Sequence, residues 1–203
     1  MREQVSALYR YTGWMPNVAD VAPERIRPLL RTEYDRLVES GAFENERLEL
    51  LEGMLVTMTP QDAAHAHTVQ RLAEVLTIAL RGRAIVRTQS PLALLDDSEP
   101  EPDIAVVPLG DYSSNHPTKA DLVIEIAASS QRRDRDVKGP LYARAGVPEY
   151  WLFDLTGRVA EVHRHPQGEQ FTSVVRLGEH QTLHLLRFPD VEVSTSGVLP
   201  TVK

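Results

Sequence analysis

From residue 32 onward, apolar and polar positions alternate between two periods, and each switch of period marks an element. Thr32-Glu33-Tyr34-Asp35 has the form of a capping box with Asp in place of Glu, Leu37 and Val38 follow on one face, and Gly41 supplies a stop. Together these predict a short helix. Arg47 to Glu52 alternates as a strand, Gly53 turns the chain, and Met54 to Met58 return as its hairpin partner. Pro60 and Asp62 open a longer helix. In it Val69, Leu72, Ala73, Leu76, Ile78, Ala79 and Leu80 recur near the helical period, and Gly82 closes it. Ala84 to Gln89 and Leu92 to Leu95 read as strands around Ser90-Pro91, with Asp96-Asp97-Ser98 as a turn. Pro102 to Val107 and Leu122 to Ala127 are short apolar strands of the kind buried in a sheet, separated by a polar loop from Pro108 to Lys119.

Ser129 or Ser130 can cap a helix through Lys138 to Ala145, ending at Gly146. Pro140 inside it implies a kink, or a start nearer Gly139. Glu149 to Asp154 is a further strand. Beyond Val159 the pattern is of hairpins, turning at Pro166-Gln167-Gly168 and near Gly178. Residues Met1 to Arg31 are poorly patterned: Tyr9, Tyr11 and Trp14 are apolar, but Pro16, Pro23 and Pro28 break any long helix. The expected organisation is an N-terminal arm, 1–31, and one domain, 32–203. Its expected fold is α/β (α+β), with a mixed central sheet flanked by helices and β-hairpins at the C-terminal end.

Composition narrows the class. The chain has 203 residues, 42% hydrophobic and 25% charged, which is enough apolar material for a core. No run of about 18 apolar residues suggests a membrane span. The first residues, Met1-Arg2-Glu3-Gln4, do not resemble a secretory signal. Cysteine is absent, which excludes disulfides, thiolate zinc sites and cysteine nucleophiles and agrees with a cytoplasmic protein. The net charge of -7 provides no general attraction to nucleic acid, so binding of that kind requires a local basic patch.

The candidate chemistry lies in the two apolar strands. Each contains one carboxylate, Asp103 and Glu125, and an ionised acid there is costly unless something pairs with it. Alternation puts Asp103 with Ala105 and Val107, and Glu125 with Val123 and Ala127. If the strands pair, the two acids lie side by side, where they repel unless a divalent cation holds both. Oxygen-only ligation suits Mg²⁺ or Mn²⁺. Such an ion acidifies water and polarises a phosphoryl oxygen, and Lys138 can neutralise charge on phosphorus. The structural alternative is a pair of strand-end acids exposed to water or bound to arginine.

Pro102-Asp103, then Glu125, then a lysine resembles the PD-(D/E)xK nuclease superfamily. More closely, the chain resembles the Uma-two family of restriction endonucleases. The matching pieces are Leu48 to Gly53, His65, Gln89-Ser90-Pro91-Leu92, Pro102 to Val107, Leu122 to Glu125, Asp134 to Lys138, Tyr142, and Gly146-Val147-Pro148-Glu149-Tyr150-Trp151. One position departs from the superfamily pattern: Ala127 stands two after Glu125, where a lysine is usual, and Lys138 on the following helix takes that role in the family. The resemblance implies Glu49 as a further catalytic acid beside Asp103, Glu125 and Lys138, with Asp103 and Glu125 as the metal ligands. By strand alternation alone Glu49 would sit on a solvated face.

Secondary candidates are Gln89, as a partner of the lysine or of water or as a strand-end cap, and His65, as a substrate contact or a polar helix start. Residues two apart on a helix face different ways, so His65 and His67 do not suggest a zinc pair. Tyr142, one turn after Lys138, is a phosphate contact or, as slightly favoured, core packing. Tyr150 and Trp151 read as core. Arg132, Arg133 and Arg135 could meet phosphates but are interleaved with Asp134 and Asp136, and Asp134 could orient Lys138. The implied function is Mg²⁺- or Mn²⁺-dependent hydrolysis of nucleic acid, most readily DNA, by a protein expected by analogy to be a homodimer. The competing readings are a nuclease-fold module that binds without cleaving, which suits the acidic bulk charge, and a metallohydrolase of small molecules.

Overall fold

The computed structural model describes residues 27–127 and 134–199. Helix α1 (Arg31–Glu39) begins one residue before the predicted box. Glu33 reaches back to the Leu30 N–H (3.0 Å) and to Arg27 (2.9 Å), while Asp35 is taken by Arg31 at 3.3 Å. A longer acid that closes the first turn therefore displaces the Thr32–Asp35 pairing. Strands β1 (Leu48–Leu51) and β2 (Met54–Thr57) form the expected antiparallel hairpin. Its turn needs glycine twice over: Gly53 has φ +75°, and a Cβ there would meet the Pro28 ring at 2.2 Å. Helix α2 (Ala63–Ala79) starts at Asp62, whose carboxylate accepts the His65 N–H at 2.8 Å.

Six strands make the main sheet: β3 (Ile85–Thr88), β4 (Ile104–Val107), β5 (Leu122–Ala127), β6 (Glu149–Asp154), β7 (Val159–Gln167) and β8 (Gln170–Leu177), in that spatial order. The sheet is mixed. Only β5 and β6 run parallel, and the crossover between them carries a π-helical turn (Asp134–Lys138) and helix α3 (Gly139–Arg144). All residues of β4 and β5 are buried, because both faces of the sheet are covered. Ile104, Val106, Ile124 and Ile126 pack with Leu72, Leu76 and Leu80 around α2, and with the ribbon of β9 (Thr182–His184) and β10 (Glu192–Ser194). Ala105, Val107, Val123 and Ala127 pack with Leu141, Tyr142, Tyr150, Leu51 and Leu92. Strand alternation thus separates two cores, and the second shares its face with Asp103 and Glu125. Among the described residues no helix is long and apolar enough to cross a membrane.

One expectation is corrected, and one left open between two readings is decided. Leu92 to Leu95 is not a strand: Leu92 N–H bonds Pro100 O (3.0 Å) and Ala93 N–H bonds Pro117 O (2.9 Å), so the segment is shared between two partners and builds no ladder. Pro140 lies in the first turn of α3, so the chain starts a new helix near Gly139, as one of the two sequence readings had it. The proposed caps Ser129 and Ser130, and residues 1–26 of the N-terminal arm, lie outside the described residues.

The segment leading into β4 contains an acid that should make stability depend on pH. Glu99 is buried, and burial, then the neighbouring Asp35 carboxylate, push its pKa up to about 7. The folded protein therefore holds a proton there that the unfolded chain releases near its ordinary value of 4.5. Stability from this group is complete below that value and is lost as pH rises through about 7. Glu99→Gln removes the penalty. Urea unfolding should show the variant more stable by about 1–3 kcal/mol at pH 8 and indistinguishable at pH 4.5.

Candidate active site

Sheet register brings the two strand acids together. Ile104 pairs with Ile124 and Ala105 with Val123, so one further step sets Asp103, just before β4, opposite Glu125 within β5. Asp103 is held at both oxygens: Oδ2 accepts the Ile126 N–H at 2.8 Å, and Oδ1 lies 2.8 Å from His65 Nε2 in the first turn of α2. Glu125 Oε1 accepts from Lys138 Nζ (2.9 Å) and from the Tyr142 hydroxyl (2.6 Å). Lys138 and Tyr142 are four positions apart, which puts them on one side of the turn entering α3. Lys138 Nζ is also 3.0 Å from Glu49 Oε2, which accepts the Glu101 N–H at 3.2 Å. The result is two neighbouring polar chains, His65–Asp103–Ile126 N and Tyr142–Glu125–Lys138–Glu49.

Burial decides how these charges are read. Glu49 is 1% exposed, Glu125 4% and Lys138 3%, so this is not a solvated face with incidental ion pairs. An ammonium shared by two carboxylates offsets much of the desolvation cost of all three, and none of them is tolerable there alone. The Tyr142 phenol is pushed well above its ordinary pKa, by burial first and then by the Glu125 charge, and so remains an O–H donor. Burial also raises Glu101, partly opposed by Arg47 at 3.9 Å. One other buried acid is bound differently: Glu149 is fully engaged by Arg164, Trp151 and the Leu186 N–H. Glu49 Oε1, by contrast, is buried with no hydrogen-bond partner.

Each predicted residue can now be placed. Asp103, Glu125, Lys138 and Glu49 come together. The solvated face that alternation suggested for Glu49 is corrected, because all of β1 is buried. Tyr142 packs in the core, with its ring 5.3 Å from that of Tyr150, and also donates to Glu125. The His65 side chain contacts Asp103, a link that sequence spacing did not reveal. Its only signal was a histidine in the first turn of a helix that abuts a strand end. Gln89 is half-buried just past β3 with φ +45°; its backbone N–H bonds Asp103 O at 3.1 Å, so it joins the row through its main chain. Tyr150 and Trp151 are fully buried. Arg132 and Arg133 lie outside the described residues, and the Asp134 and Arg135 side chains are likewise not described. Glu101 was missed, although the alternation Glu99-Pro-Glu101-Pro-Asp103 sends these acids to one side of an extended chain.

The donor set suits a hard divalent cation. It consists of carboxylate oxygens, and the orphaned Glu49 oxygen beside them is a buried acceptor lacking a donor or cation. Among the described residues no group of three or more histidine, aspartate or glutamate side chains is placed to hold a metal ion. Two carboxylates with water completing the shell is the arrangement Mg²⁺ adopts most readily. Asp103 and Glu125 would hold it.

Tyr142→Phe isolates one contact of this site without changing packing volume. Loss of a buried hydrogen bond to a carboxylate is expected to destabilise the fold by about 1.5–3 kcal/mol, measured by urea unfolding.

A family model described as "Uma2: Putative restriction endonuclease" matches residues 31–196. No curated protein matches the chain. Among solved structures, the crystal structure of "a putative nuclease belonging to DUF820 from Anabaena variabilis ATCC 29413" superposes with a TM-score of 0.67. It is 17% identical, and the match covers 84% of this chain and 97% of that one. At that identity the likeness is one of fold.

Proposed function

Because the chain belongs to the Uma2 family, whose model is described as "Putative restriction endonuclease", we propose that it is a Mg²⁺- or Mn²⁺-dependent endonuclease that hydrolyses phosphodiester bonds, with DNA as substrate. The observation that carries the reading is the buried constellation itself: Asp103 opposite Glu125, with Lys138 bridging Glu125 and Glu49. Three acids and an amine gathered beside an apolar core are not explained by packing alone, since apolar residues of the same volume are often at least as stable there.

In this reading Asp103 and Glu125 hold the cation, which when bound acidifies a water and draws charge off the phosphoryl group. His65 and the Ile126 N–H fix the Asp103 carboxylate, so its direction is set before substrate arrives. Tyr142 does the same for Glu125. Lys138 presents a positive charge that can donate to a phosphate oxygen as negative charge accumulates there. Its two carboxylate contacts favour the charged form, which suits it to electrostatic stabilisation more than to proton abstraction. A homodimer would supply two equal sites related by a two-fold axis, which would suit cutting of both strands. Light scattering at a dimer mass is the expected result.

The test is a cleavage assay on supercoiled plasmid, single-stranded DNA and RNA, with Mg²⁺ or Mn²⁺, comparing wild type with Asp103→Asn. Metal-dependent cleavage by wild type alone supports the proposal. Binding without cleavage at any metal concentration would identify a non-cleaving module, and no interaction with any nucleic acid would remove the proposal.

A further inference from the structure

We infer that Lys138 is a resident counter-ion, which competes with the divalent cation for Glu125 and for which Glu49 is the second, retained anchor. This inference rests on the metal-site reading above and concerns how that site is loaded. The Lys138 ammonium lies 2.9 Å from Glu125 Oε1 and 3.0 Å from Glu49 Oε2, and it is 3% exposed. The Glu125 oxygen it uses also accepts the Tyr142 hydroxyl at 2.6 Å. A carboxylate oxygen has room for about two such partners. That oxygen is therefore already filled by donors, and a cation approaching it meets an ammonium first.

Two positive charges this close in a low-dielectric site repel strongly. Entry of the cation at Glu125 Oε1 therefore requires the ammonium to give way there. Glu49 makes that inexpensive. Its Oε2 already binds the ammonium, and its buried Oε1 has no partner of its own. A flexible lysine can turn about this carboxylate without ever becoming an unpaired buried charge. Glu49 is then the lysine's holding partner and need not be a ligand of the metal. In the exchange the lysine relinquishes one carboxylate, the divalent cation takes it, and Glu49 keeps the ammonium near the place where phosphate charge will develop.

The consequence runs against ordinary expectation for an active-site lysine, because removing it should strengthen metal binding. Calorimetric titration of Mn²⁺ into the full chain gives the readout, with no dependence on catalysis. Lys138→Met should bind Mn²⁺ at least about tenfold more tightly than wild type. Glu49→Gln/Lys138→Met leaves the net charge of the site unchanged and leaves Glu125 with the Tyr142 hydroxyl, so it separates local competition from bulk electrostatics. It should bind at least about threefold more tightly.

Asp103→Asn serves as the control for the metal site itself. If wild type binds and Asp103→Asn does not, but the double variant binds no more tightly than wild type, the counter-ion inference is overturned and the metal site stands. If no form binds Mn²⁺ in a manner that depends on Asp103, the metal site itself is lost. Should neither lysine variant fold, wild type answers alone: the Lys138 ε-carbon resonance is expected to move on saturation with Mg²⁺, and an unmoved resonance at saturation refutes the exchange.

Discussion

Asp103→Asn is expected to lower the rate of metal-dependent DNA cleavage by about a thousandfold or more while the protein stays folded. The substitution is nearly isosteric. An amide oxygen can still accept the Ile126 N–H that the carboxylate accepts at 2.8 Å, so the junction between β4 and β5 keeps its bond. What is lost is the charge. A bound cation contributes several kcal/mol of charge stabilisation in the transition state, and about 4 kcal/mol corresponds to a thousandfold in rate. Initial rates on plasmid, with circular dichroism and a thermal melt to establish the fold, measure both halves of the prediction. A variant that is folded yet cleaves within tenfold of wild type would show that Asp103 holds nothing the reaction needs.

The largest effect on stability is expected at Lys138. Lys138→Ala removes the cation that, among the described residues, lies between Glu49 and Glu125, both of which are almost completely buried. Breaking a buried ion pair from one side typically costs about 3–5 kcal/mol, because the remaining charge has neither water nor partner. Urea unfolding at neutral pH should show a loss of that size. The double replacement Glu49→Gln/Lys138→Met should cost clearly less than Lys138→Ala, since it leaves Glu125 with the Tyr142 hydroxyl and leaves Glu49 uncharged. Equal losses would mean that the packing of the lysine stem, and not its charge, supports this region.

Much of this arrangement was readable before any coordinates. Asp103 and Glu125 stood out because an acid inside an apolar strand demands a partner, and period-two alternation placed each on a definite face. The hairpin at Gly53, the long helix after Asp62 and the turn at Gly168 followed from local chemistry that tertiary contacts did not override. Lys138 was placed by family resemblance; spacing alone could not show that a turn 13 residues beyond Glu125 folds back onto it.

What escaped was long-range. Leu92 to Leu95 has the composition of a strand, but a strand also needs a continuous partner, and here Pro100 and Pro117 divide it. Glu49 seemed to face water because alternation reports two faces of a strand without saying whether both are covered. The His65–Asp103 contact joins residues 38 apart and exists because the start of α2 meets the entry to β4. No local pattern encodes that meeting. The polar groups of the site were thus visible one at a time, while their hydrogen bonds to one another were set by packing of the two cores.

Crystals of the wild-type protein soaked in Mn²⁺ test the central claim most directly. An anomalous peak bonded to carboxylate oxygens of both Asp103 and Glu125 is the predicted result. A fully soaked crystal whose manganese binds elsewhere, or that has none between these two acids, would contradict it.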